Sequence, residues 1–350
     1  MITWLVGFVL VVLALPAWAD MALPPGFTRR VYITGQGFDR GGDRGAARGI
    51  PVATTLGFER TGTLYLPRSG SRYLGGEVDE LLPIYRIPVG GAQLTPESEW
   101  RYAYGPPLRN PEVGAVGGEG HVFVTSYDRD RQIGVLYRTR QGRPELFAGG
   151  TPPAGTPPLF RQPEGVAVDT GGNVYVADRA LGRVVKLDPR GRVLDASYAS
   201  VLRARALAID DADQLWIGGD GSAERPWQDG AGQIWRVGAQ GRPTLVLEGP
   251  VPTAIGVGPG GALFVAQRQT RTIFVVTPDG RRIEFARLEG DLTPRALAFA
   301  PSTAETRRAG IAGQLFVVTF ALRTWYLNEV IQVSGPFDEF VRREGRPGTP

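Results

Sequence analysis

A six-fold internal repeat constrains this chain more than any other feature. A turn residue, one further residue and an aliphatic–aromatic–aliphatic triplet recur around Tyr65, Phe123, Tyr175, Trp216, Phe264 and Phe316, 41 to 58 residues apart. Upstream of each aromatic stands a small residue: Gly57, Ala115, Ala167, Ala208, Gly256 and Ala298. A bulky apolar residue follows each of these. Downstream, a third apolar segment recurs at Ile84, Val135, Val184, Ile234, Ile273 and Val330, and a fourth follows a Gly-containing turn, as at Arg143 and Arg242. Repeats at this period mean that each unit is one supersecondary module unable to bury its faces alone.

Four short segments per unit, joined by turns, predict four antiparallel strands. Six such units predict an all-β, six-bladed β-propeller. Radial packing covers both faces of each sheet with its neighbours and leaves only short edges exposed. Innermost strands crowd near the axis, which explains the Gly and Ala column. The 49 Gly and 29 Pro residues fit the many turns this requires. The propeller is assigned to residues 49–343. Residues 20–48 form a lead segment with a strand that could close the ring on the last blade, although the segment around Phe337 could supply that strand instead. Residues 344–350 read as a disordered tail.

The clearest copy starts at Gln162. It carries Pro163-Glu-Gly-Val-Ala-Val-Asp169, then Gly172-Asn-Val-Tyr-Val-Ala-Asp178, then Arg183-Val. This resembles the NHL repeat, and the other five units are degenerate versions. The lead segment from Leu23 is similar to that of exported propellers, including relatives of the soluble quinone-dependent dehydrogenases.

The N-terminus has its own pattern. An apolar run from Trp4 to Leu15, a breaking Pro16 and Ala17-Trp-Ala19 match a secretory signal over residues 1–19. The run is short for a bilayer-spanning helix. The expectation is a periplasmic or secreted protein with no membrane span after cleavage, or an inner-membrane-anchored one if the signal stays.

Composition removes several chemistries. With no Cys there is no disulfide, thiolate metal site or Cys nucleophile. His121 is the only histidine, so sites needing two or three imidazoles are excluded, a zinc-dependent propeller lyase among them. Lys186, the only lysine, lies outside any phosphate-binding loop motif. The net charge of +4 is spread along the chain, unlike the basic face of a nucleic-acid binder.

The resemblance implies that the loops entering the innermost strands share a face with the loops joining second and third strands. Aligning the repeats puts Thr54, Glu112, Glu164, Arg205, Thr253 and Arg295 at the entries. Asp128, Asp178, Arg268, Trp227, Trp325 and Tyr326 fall in the same-face loops. Asp178 also suits a loop-pinning role through charge-assisted hydrogen bonds. The expected function is binding of a protein, glycan or small ligand on this face. Two enzyme readings follow from the resemblance. A gluconolactonase-like hydrolase of a lactone or ester would hold Ca²⁺ through Glu112, Glu164 and Asn110. A quinone-dependent sugar dehydrogenase would need a histidine at the cofactor.

Overall fold

The computed structural model describes residues 21–39, 46–51, 53–68, 81–117, 120–128, 130–224, 228–238, 241–277, 280–321 and 328–344. The signal segment, Trp227, Trp325, Tyr326 and the extreme C-terminus lie outside the described residues. Among the described residues the strands group into six mainly antiparallel blades of a propeller, with a short pair Leu81–Leu82 and Leu108–Arg109 extending blade one. The innermost strands are Gly57–Phe58, Glu112–Val116, Pro163–Val168, Ala204–Ile209, Pro252–Val257 and Leu292–Phe299, opening blades one to six.

The two repeat columns are cross-strand partners in every blade. Gly57 faces Tyr65, Ala115 faces Phe123, Ala167 faces Tyr175, Ala208 faces Trp216, Gly256 faces Phe264 and Ala298 faces Phe316. Partners in an antiparallel pair project from the same face. The small column therefore also makes room for a ring on the next strand. Crowding at the axis is real as well: a Cβ on Gly165 would meet the Arg205 carbonyl oxygen at 2.4 Å.

The core is divided by wedge. Six hydrophobic clusters occur among the described residues, one in each gap between neighbouring blades. Leu136 and Val176 meet between blades two and three, and Ile234 and Phe274 between four and five. No blade owns a core, so the ring is stable only when closed.

The N-terminal strand closes it. Thr28–Asp39 pairs antiparallel with Val330–Ser334, in register from Thr28–Ser334 to Val31–Ile331, and becomes the outer strand of blade six. Met21–Ala22 adds a fifth strand to blade five. The alternative segment is an α-helix, Phe337–Glu344. Its Phe337 and Phe340 are buried against Phe27 and Phe285, with ring centroids 4.9 to 5.9 Å apart. The helix thus locks the closing strand by packing rather than by pairing.

Candidate functional site at the channel mouth

Pairing slips by one residue near the start of the innermost strand in blades two to six. In blades four, five and six the extra residue is Arg205, Thr253 and Arg295. In blade three Glu164 and Gly165 together oppose Ala177, and in blade two the slip follows Glu112, at Gly114. A bulge leaves one residue unpaired and re-aims its side chain. Proline precedes the entry residue at Pro111, Pro163, Pro252 and Pro294. Such positions tolerate it because no ladder hydrogen bond is needed there.

All six entry residues line one cavity of about 310 Å³ that runs along the innermost strands, and they form its entry end. Below them the wall turns apolar, through Leu56, Val166, Leu207, Ile255 and Leu297. The mouth is divided by charge: blades two and three bring Glu112 and Glu164, while blades four and six bring Arg205 and Arg295.

Among the described residues, a second set sits four residues after the repeat aromatics of blades two to six: Tyr127, Arg179, Asp220, Arg268 and Phe320. Arg179 Nε lies 2.8 Å from Asp220 Oδ2. Asp220, fully buried, also faces Arg205 Nε at 3.4 Å. The guanidiniums of Arg268 and Arg295 lie 5.4 and 5.8 Å from the Phe320 ring centroid. Arg205 in turn reaches Glu164, with Nη2 to Oε2 at 3.2 Å, and Gln162 Nε2 donates to Glu164 Oε1 at 2.6 Å.

Electrostatics follow from this crowding. Burial, then the neighbouring Arg205 and Arg268, pushes Arg295 down to about 9, while Glu112 and Glu164 resist. Burial and Arg205 lower Arg268 as well. Burial raises Asp220, Arg205 and Arg179 pull it back, and Glu164 adds to the rise. Three guanidiniums from adjacent blades thus converge beside two carboxylates.

The remaining expected site residues fall elsewhere. Asp178 is fully buried and accepts the backbone N–H groups of Arg161, Gln162 and Leu181 at 2.6 to 3.2 Å. Asp128 accepts the Arg131 N–H at 3.0 Å, capping its own turn. Asn110 is buried with φ of 42° at the approach to blade two. His121 is absent from the cavity wall. Arg179, Asp220 and Phe320 are the residues the entry alignment alone did not select. They share the Arg268 column of the repeat, which gives their position but not their partners.

At the mouth, oxygens expected to hold a divalent cation are already engaged by guanidinium and amide donors. Both Glu164 oxygens already face donors, Asp220 lies between two arginines, and no group of three His, Cys, Asp or Glu among the described residues could hold a metal. A hard cation would also sit against the Arg205, Arg268 and Arg295 charges.

Comparison with known proteins agrees on architecture. Residues 160–187 match the NHL repeat. No curated protein sequence matches the chain. Among solved structures, one provisionally assigned as a gluconolactonase shares 15% identity over 89% of this chain and 93% of its own, with a TM-score of 0.55. A gluconolactonase from Xanthomonas campestris shares 13% identity over 82% and 87%, TM-score 0.54. The PQQ-bound aldose sugar dehydrogenase of Streptomyces coelicolor shares 14% identity over 89% and 100%, TM-score 0.51. At these identities the likeness is one of fold.

Proposed function

We propose that this propeller, which carries an NHL repeat in its third blade, is a binding protein for a small organic acid held at the mouth of its central channel. Of a protein, a glycan and a small ligand, the last suits a 310 Å³ cavity set between the innermost strands best. The carrying observation is the convergence of Arg205, Arg268 and Arg295 opposite Glu112 and Glu164. In this reading the carboxylate is taken by the guanidinium side, where charge-assisted hydrogen bonds are strongest. Hydroxyl or amino groups of the ligand donate to Glu112 and Glu164. The less polar body enters the throat lined by Leu207, Ile255 and Leu297. The Asp220 carboxylate acts through Arg179 and Arg205, holding the basic half in place.

A thermal-shift screen of the chain tests this, with hydroxy acids, amino acids and apolar carboxylic acids set against their amides and against neutral sugars. A ligand that binds only the folded state raises the midpoint by mass action. The expected result is a shift from at least one class of free acid and none from the matching amide. Equal shifts from acid and amide, or none from any acid, would reject the reading.

A further inference from the structure

The structure assigns a second binding site, for an acidic saccharide, to a cleft between blades one and two, away from the channel. Its origin lies in the irregular outer strand of blade one. Residues 103–109 pair only with the upstream part of the third strand, through Ala103–Tyr85, Leu108–Leu82 and Arg109–Leu81. The downstream end, at Arg86, pairs with Tyr65 on its inner side but has no strand on its outer side among the described residues. Before reaching this point the chain leaves for blade six, where Ala92–Leu94 runs parallel to the closing strand. A cavity of about 620 Å³ remains where a regular fourth strand would lie.

Its lining has the chemistry of an anionic sugar site. Arg86, Arg101 and Arg140 converge on it from blade one, the connecting segment and the hairpin of blade two. Among the described residues neither Arg101 nor Arg140 has an acidic partner: Arg101 lies 5.8 Å from the Trp100 ring centroid, and Arg140 ends the strand Ile133–Arg140. Glu59 is the one acid in the lining among the described residues. It accepts the Tyr65 hydroxyl at 3.2 Å, and Arg86 hydrogen-bonds the same phenol. The Tyr65 and Tyr104 rings pack edge to face, centroids 4.8 Å apart, and form an aromatic wall.

These groups divide the work as a charged sugar requires. The guanidiniums meet a carboxylate or sulfate, Glu59 accepts from ring hydroxyls, and the half-buried Tyr104, backed by the buried Tyr65, packs against the apolar face of the pyranose. A bare inorganic anion would use the arginines alone and gain nothing from Glu59. The wall is fixed where Gly105 and Gly142 meet: a Cβ on Gly105 would come within 1.9 Å of the Gly142 carbonyl oxygen, so neither loop can retract without losing that contact.

The test is an array of uronate-containing, sulfated and neutral oligosaccharides, probed with the wild-type chain, with the double variant Arg101→Glu and Arg140→Glu, and with Arg295→Gln as a channel control. Both cleft arginines are exposed, so the double variant is expected to fold, as its melting midpoint beside the wild type checks. Retention of acidic saccharides by wild type and Arg295→Gln, with at least tenfold weaker retention by the double variant, supports the site. Retention of neutral saccharides alone, retention unchanged in the double variant, or no retention of any acidic saccharide overturns it.

Discussion

Glu164 and Arg205 stand at the entries of neighbouring blades, and their side chains meet at 3.2 Å with about one-tenth or less of each exposed. The contact joins the acidic and basic halves of the mouth. Arg205 also faces the buried Asp220, so one guanidinium ties two carboxylates from different blades. Removing Arg205 leaves both acids without it in a buried setting. Arg205→Met is therefore expected to cost about 3–5 kcal/mol in urea unfolding, the usual penalty for breaking a buried pair from one side. Adding Glu164→Gln should restore part of that loss. Additive losses would show that the two side chains do not interact.

Arg295 makes the opposite prediction. Its proton is held less tightly than in an unfolded chain, because burial and two neighbouring guanidiniums disfavour the charge. The folded state thus carries an electrostatic cost at neutral pH. It fades as pH rises above about 9, where the unfolded chain still binds the proton and the native one releases it. Arg295→Gln should raise stability by about 1–2 kcal/mol at pH 7 while weakening acid binding at least tenfold, a trade common at functional sites. The stability difference between variant and wild type should shrink between pH 9 and 11. A less stable variant at pH 7 would contradict this.

The cation prediction is equally direct. Millimolar Ca²⁺ or EDTA should leave the melting midpoint unchanged within about one degree, because a bound ion would raise it by linkage. A rise of several degrees with Ca²⁺ would reinstate Glu112, Glu164 and Asn110 as ligands and the lactone-hydrolase reading with them.

The cross-strand pair Ala167–Tyr175 predicts a packing result. Tyr175 is buried, and its hydroxyl donates to Asp169 Oδ2 at 3.1 Å. Ala167→Leu would press extra methyl groups against the ring, at an expected cost of about 1–3 kcal/mol by chemical denaturation. A neutral substitution would show that the small column serves only the channel axis.

Much of this architecture is legible in the sequence because propeller blades repeat. The alternation around Tyr175 and its five counterparts fixes two strands per blade, a proline marks the entries at Glu112, Glu164, Thr253 and Arg295, and the repeat alignment supplies Arg205. Glu112, Glu164, Arg205 and Arg295 could therefore be placed on one rim without coordinates. Three features were out of reach for different physical reasons. Asp220 lies one position off the Asp178 column, so its partnership with Arg179 and Arg205 depends on how the rings of adjacent blades turn toward the axis. Phe337 and Phe340 have the spacing of one helical turn but fall in a segment whose apolar content suits a strand equally well; packing on Phe27 decides it. The blade-one cleft exists because residues 92–94 pair with a strand far away in sequence, and no local pattern encodes that.

Calorimetric titration of the best free acid from the screen, into wild type, Glu112→Gln and Arg295→Gln at pH 7 and pH 10, tests the channel-mouth account most directly. The account predicts one site per chain, at least tenfold weakening in Arg295→Gln, a smaller loss in Glu112→Gln, and weaker wild-type binding at pH 10 than at pH 7. Unchanged affinity in Arg295→Gln, or equal wild-type affinity at both pH values, would contradict it.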